Sequence, residues 1–176
     1  MSPALRIYRY VGPDSLRSSV RPGTEGRRIG TAAAFRAWAA EREVAEWAEP
    51  FTFVISLEKT LLLAPRRSEH VACAGGARVL SAGEVAFRFR EGRWTVAEIS
   101  NQSTGYCPDP SSWPAVANAL ESAGLEHPGR FTHEFVFRRC IACRELNLVR
   151  EGDFVCVFCE ADLPATWNVD PANGWT

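Results

Sequence analysis

The chain has 176 residues, a formal charge of −1, 46% hydrophobic and 23% charged residues. That is the make-up of a folded globular protein, neither disordered nor fibrous, and it is long enough to bury a core. The near-neutral balance argues against nucleic acid or a membrane surface as partner, and no apolar run approaches the ~20 residues that span a bilayer.

Arg6 to Val11 reads as a short strand, followed by a polar loop rich in Gly, Pro, Ser and Arg to about Gly30. The first residues, Met1 to Pro13, hold Arg6 and Arg9 but no apolar segment of a secretory leader, so a cytoplasmic protein is expected. Thr31 is placed to cap a helix running to about Ala48 and stopped by Pro50. Phe51 to Leu57 and Thr60 to Ala64 are apolar β runs separated by Glu58 and Lys59. Val85, Phe87 and Phe89 alternate with other residues, and Glu91-Gly92 turns the chain into Trp94 to Ile99. Ser111 or Ser112 can cap a second helix with Pro114 in its first turn, and Gly124 suits its exit. His127-Pro128-Gly129 is the best linker. The order predicts an α+β fold, a mostly antiparallel sheet with two helices over residues 1–129. A metal-bound β-hairpin module with a tail follows over residues 130–176.

The strongest motif is Cys140-Ile-Ala-Cys143 with Cys156-Val-Phe-Cys159, two C-x-x-C pairs twelve residues apart. Two residues between cysteines let the backbone form a tight knuckle that aims both sulfurs at one ion, and two knuckles complete a tetrahedral thiolate set. Leu146 to Val149, a turn at Glu151-Gly152, and Phe154-Val155 supply a hairpin between them. Over about thirty residues this resembles the zinc-ribbon families, which implies one structural Zn2+ held by all four cysteines. Two disulfides, free thiols or an iron–sulfur centre are the alternatives; an intracellular chain disfavours the disulfides. Residues 130–160 carry five Arg and five acidic residues, so the ribbon lacks the basic face of a nucleic-acid binder.

A second set of motifs lies in the middle: Ser68-Glu-His-Val-Ala-Cys-Ala-Gly-Gly76, Val79-Leu-Ser-Ala-Gly-Glu84 and Ser100-Asn-Gln-Ser-Thr-Gly-Tyr-Cys-Pro108. These resemble a module of bacterial polymorphic-toxin-like proteins and plant IQ-motif calmodulin-binding proteins, on which His70, Gly75, Gly76, Ala82, Gly83, Ser103, Tyr106 and Pro108 match. Glu84 matches the bacterial form, and Gly105 stands where the module has a second His. The resemblance implies a bacterial conflict, effector or regulatory system and no particular reaction.

Read by their chemistry, His70 and Glu84 are a candidate acid–base pair, with Tyr106 and Cys107 as candidate catalytic hydroxyl and thiol groups. Gly75, Gly76 and Ser103 are candidate ligand-binding positions, since glycines allow positive φ and close backbone approach. In the bland alternative the glycines make turns, His70 bonds a carbonyl and Tyr106 packs with its hydroxyl on backbone. Cys73, among small apolar residues, is expected to be inert and buried. Two functions follow: an accessory or recognition protein that holds a protein partner or small ligand through the Gly-rich and Ser/Tyr loops, or a small transferase or hydrolase using His70 with Glu84, Tyr106 or Cys107.

Overall fold

The computed structural model describes residues 4–170 and has an α+β architecture. Five strands, β1 (Arg27–Ile29), β2 (Phe51–Ile55), β3 (Leu61–Ala64), β4 (Ser81–Arg90) and β5 (Arg93–Ser100), form a sheet in the order β1-β3-β2-β4-β5, every neighbouring pair antiparallel. The two longer helices are α2 (Ala32–Ala40) and α4 (Trp113–Ser122); two further helices, α1 (Asp14–Ser18) and α3 (His70–Cys73), are a single turn each. A separate hairpin of β6 (Val136–Arg139) and β7 (Leu146–Val149) follows.

The central strand β2 is buried at every position because both faces of the sheet are covered. Phe51, Phe53 and Ile55 pack with Phe35 and Trp38 of α2 and with Val116 and Leu120 of α4. Val54 and Ala82 lie in a second cluster with Val71 of α3, Tyr8, Tyr10 and Tyr106. A strand covered on both sides reads as an unbroken apolar run instead of an alternation. Turn chemistry sets the connections. Glu91 and Gly92 have φ of +52° and +77°, as a two-residue hairpin turn requires, and Lys59 at φ +63° closes the β2–β3 turn.

Several expectations need correction. Arg6 to Val11 forms a single bridge, Tyr8 to Val79, and no strand. The loop before Gly30 contains α1 and β1. The first helix ends at Ala40, with a separate 3-10 turn over Val44–Ala48. Arg42 Nε donates to the Trp38 carbonyl, satisfying an exposed end group, and the Glu46 carboxylate accepts from the Glu43 N–H to open the new turn. That break lets Trp47 stack on Trp94, ring centres 4.4 Å apart. The second helix begins directly after Ser112 with Pro114 in its first turn, as expected, but the Ser112 side chain makes no capping bond. Instead the Asp109 carboxylate accepts the Ser111 N–H at 3.1 Å and leads a 3-10 turn over Pro110–Ser112 into α4.

Residues 131–135 lie against the sheet before the hairpin begins. Phe131 is in the main core, and the Phe135 N–H bonds Asn101 Oδ1 at 2.7 Å. A third cluster of Cys107, Phe137 and Val169, with Trp167 against it, joins the hairpin to the body. Arg138 is buried in that junction. Its guanidinium donates to the Pro164, Ala165 and Phe137 carbonyls and lies 3.7 Å from Asp109. No helix among the described residues is long and apolar enough to cross a membrane.

Candidate metal centre

The two knuckles are built alike. In the first, the Cys140 N–H donates to the Glu145 carbonyl at 2.9 Å and the Arg144 N–H to the Cys140 carbonyl at 3.0 Å. In the second, Cys156 donates to Ala161 at 2.8 Å and Glu160 to Cys156 at 2.9 Å. Both close with a non-glycine residue at positive φ, Arg144 at +69° and Glu160 at +63°. Each such residue costs about 1 kcal/mol of backbone strain, which the knuckle must offset. The hairpin that carries the first knuckle is β6–β7, so Cys140 and Cys143 sit in its connection. The segment after the Glu151-Gly152 turn is held by two contacts, Val155 bridged to Asp162 and the Leu163 N–H on the Phe154 carbonyl, and is not a strand.

The knuckles bring four sulfurs together. All four Sγ atoms lie within 4.8 Å of one another, with Cys140–Cys159 and Cys143–Cys156 at 3.6 Å. A tetrahedral ion about 2.3 Å from each sulfur requires sulfur separations of about 3.8 Å, so the cage has the right size for a metal ion. Cys140 and Cys156 are buried, Cys143 is half-buried and Cys159 is exposed. N–H groups aimed at the sulfurs favour thiolates: the Cys143 amide holds the Cys140 thiol below its ordinary pKa. At Cys156 burial works against the thiolate, but the Phe158 and Cys159 amides and Asn147 Nδ2 outweigh it and bring the pKa down.

Asn147 is the residue that motif reading missed. Buried in β7, it accepts the Val157 N–H at 3.0 Å and donates to the Glu145 carbonyl at 3.0 Å and to Cys156 Sγ at 3.4 Å. It ties the two knuckles together across the cage. The available signal was a single polar residue between the apolar Leu146 and Leu148 of a short strand.

The central motif residues are not gathered in this way. His70 Nε2 bonds the Gly83 carbonyl at 2.9 Å, and burial lowers its pKa. The Tyr106 hydroxyl donates to the Ala77 carbonyl at 2.6 Å, and burial raises its pKa. The Cys107 thiol donates to the Thr104 carbonyl at 3.3 Å and is pushed by burial up to about 12. Ser103 is buried, its hydroxyl accepting the Tyr106 N–H and its carbonyl the Cys107 N–H, so it shapes the loop it sits in. Gly75 and Gly76, at φ +62° and +78°, terminate α3 through N–H bonds to Ala72 and Val71. A cavity of about 470 Å3 beside that loop is lined by Ala74, Ala77 and Arg78, with none of the seven candidate residues in its wall. Glu84 lines a different one of about 240 Å3 with Glu98 and His133.

Gly105 also has a structural reason. A Cβ there would lie 2.6 Å from Cε2 of Tyr10, whose ring packs edge-on to Tyr106. No family model matches the chain, and neither a curated protein nor a solved structure matches it. The likeness to the toxin-type module therefore rests on the short motifs alone.

Proposed function

We propose that this is a zinc-binding recognition or accessory protein whose ribbon is closed by one structural Zn2+ on Cys140, Cys143, Cys156 and Cys159. The observation that carries the reading is the closed four-sulfur cage. A tetrahedral all-thiolate set suits Zn2+ and leaves no open position for substrate. When bound, the ion supplies cross-linking free energy to a segment too small to build its own core; the ribbon's apolar cluster is only Cys140, Cys156 and Leu163 with a few half-buried neighbours.

Two further features support recognition over catalysis. Tyr106 and Cys107 each spend their polar atom on a backbone carbonyl, His70 bonds one through Nε2, and the candidate acid–base and nucleophile groups share no cleft in the cavities described above. The work of the chain is then to present a surface to a protein partner or small ligand, in a reducing compartment such as the cytoplasm where thiolates persist. The motif likeness is what connects that role to a bacterial conflict, effector or regulatory system. Elemental analysis of the native chain tests the reading: one zinc per chain, removed by a strong chelator, is expected. A metal-free chain with the four ribbon sulfurs in disulfides would overturn it.

A further inference from the structure

The knuckles that bury their sulfurs expose their tips. Ile141 is 60% exposed, Val157 74% and Phe158 62%, and Val155 beside them is 38% exposed. Ile141, Val157 and Phe158 lie between the paired cysteines and Val155 directly precedes the second pair, so all four are next to residues of the sulfur cage in the chain. Nothing in a metal-binding role requires them to be large and apolar, since two small polar residues would complete the same knuckle. Large side chains held open to water on a rigid support are the mark of a contact surface.

Charge narrows the partner. From Arg139, whose guanidinium donates to the Arg144 carbonyl at the first knuckle, to Leu163 the chain carries five acidic residues against three arginines, a formal −2, within a chain whose total is −1. Glu160 and Asp162, both exposed, directly follow the second knuckle. A Zn2+ on four thiolates is itself a formal dianion, so a filled cage adds no positive charge to this end. An anionic partner, whether nucleic acid or an acidic lipid surface, is repelled. A second copy presents the same negative charge, and three or four apolar side chains fall well short of the roughly 800 Å2 per partner in a stable interface.

We infer that the apolar, acid-rimmed knuckle tips of the ribbon are a docking surface for a basic amphipathic segment of a protein partner, its apolar side chains seated on Ile141, Val157 and Phe158. Lys or Arg on its flanks would face Glu160 and Asp162. The inference rests on the metal-centre reading, because the ion fixes both knuckles in place.

The test uses the full, zinc-loaded chain and two labelled helical peptides of about 18 residues, one of Leu and Lys and one of Leu and Glu, followed by fluorescence anisotropy. The Leu/Lys peptide is expected to bind and to weaken with salt, and the Leu/Glu peptide not to bind. Val157→Ser with Phe158→Ser should cut Leu/Lys affinity by about tenfold or more with zinc content unchanged. If that pair disturbs the metal, Glu160→Lys with Asp162→Lys leaves the knuckle interior intact and should also weaken the Leu/Lys peptide. Zinc-loaded chain that ignores the Leu/Lys peptide, binds both peptides alike, or keeps full affinity in the metal-replete variants overturns the inference while the metal centre stands. Self-association abolished by Phe158→Ser would also overturn it, in favour of a second copy. A chain that carries no metal would instead remove the reading beneath it.

Discussion

Cys140, Cys143, Cys156 and Cys159 face one another across one cage, whereas Cys73 and Cys107 are buried in separate apolar clusters, their thiols donating to the Leu62 and Thr104 carbonyls. Six chemically identical side chains thus serve two purposes. In the ribbon, N–H groups and a buried amide hold the Cys140 and Cys156 thiols below their ordinary pKa. At Cys143 and Cys159 the Glu145 and Ala161 amides are outweighed by burial and the neighbouring sulfurs, which raise both, and the four sulfurs share one cage that a cation can fill. In the body, burial pushes Cys73 and Cys107 up to about 12, so both stay protonated and behave as small hydrophobes. Reactivity is set by the surroundings, which the residue type does not reveal.

The largest effect should separate the two groups directly. Cys140→Ser should lose the metal and open the ribbon, at a cost of several kcal/mol, with proteolysis concentrated between residues 140 and 163. Cys107→Ala should keep a full complement of zinc. The same contrast should appear in native thiol titration: no fast thiols while metal is present, four after chelation, and Cys73 and Cys107 only on unfolding. A Cys140→Ser protein that keeps its zinc and its protease resistance would erase the distinction. Fast alkylation of Cys107 in the folded chain would do so from the other side.

A smaller effect is expected one step away from the sulfurs. Asn147→Leu keeps the volume of a buried position but removes all three bonds that tie the knuckles, leaving the Val157 N–H and Glu145 carbonyl without this partner. Zinc affinity should fall by about 10- to 100-fold, measured by competition with a chromogenic chelator, while the β-sheet body is unaffected. Unchanged affinity would mean that the backbone alone positions the cage.

What could be read from the sequence divides along the same line. The C-x-x-C spacing fixes local backbone geometry, so the four cysteines that cluster were visible without any tertiary information. The Glu91-Gly92 turn and the Thr31 cap were visible for the same reason. His70, Ser103, Tyr106 and Cys107 looked functional because their types can do chemistry. Which atoms their polar groups meet depends on carbonyls at Gly83, Ala77 and Thr104 that only the folded topology supplies. The break after Ala40 was hidden likewise, since Trp47 turns away to reach Trp94 on a distant strand. Asn147 carried only the faint signal of a polar residue in an apolar strand.

Gly105 tests the loop side of the comparison. If the loop is a packed structural element, Gly105→His should collide with the Tyr10 ring and lower stability by about 2 kcal/mol, read from urea midpoints. If instead the loop is an open site with an absent His, the variant should be tolerated at no cost. Tyr10→Ala in the same background should recover part of the loss by clearing the space.

The smallest effect concerns His70. Burial holds its imidazole below the usual pKa of about 6.5, against weaker opposing contributions from the Gly83 carbonyl and Glu69. The unfolded chain therefore takes up a proton at a higher pH than the folded one. Between the unfolded and folded pKa values the unfolded state binds more protons, so stability falls as pH drops below about 6.5, by less than about 1.4 kcal/mol per pH unit. The loss levels off once pH passes below the folded value. His70→Gln, which can still donate to Gly83, should flatten this part of the urea-midpoint profile while leaving stability near pH 7.5 within about 1 kcal/mol of the parent. Zinc release at low pH acts on both proteins alike, so the difference between their profiles isolates the imidazole. A profile that His70→Gln leaves unaltered would show that the ring protonates freely in the fold. His70 would then be the one member of the central motif set with a proton to exchange near neutral pH.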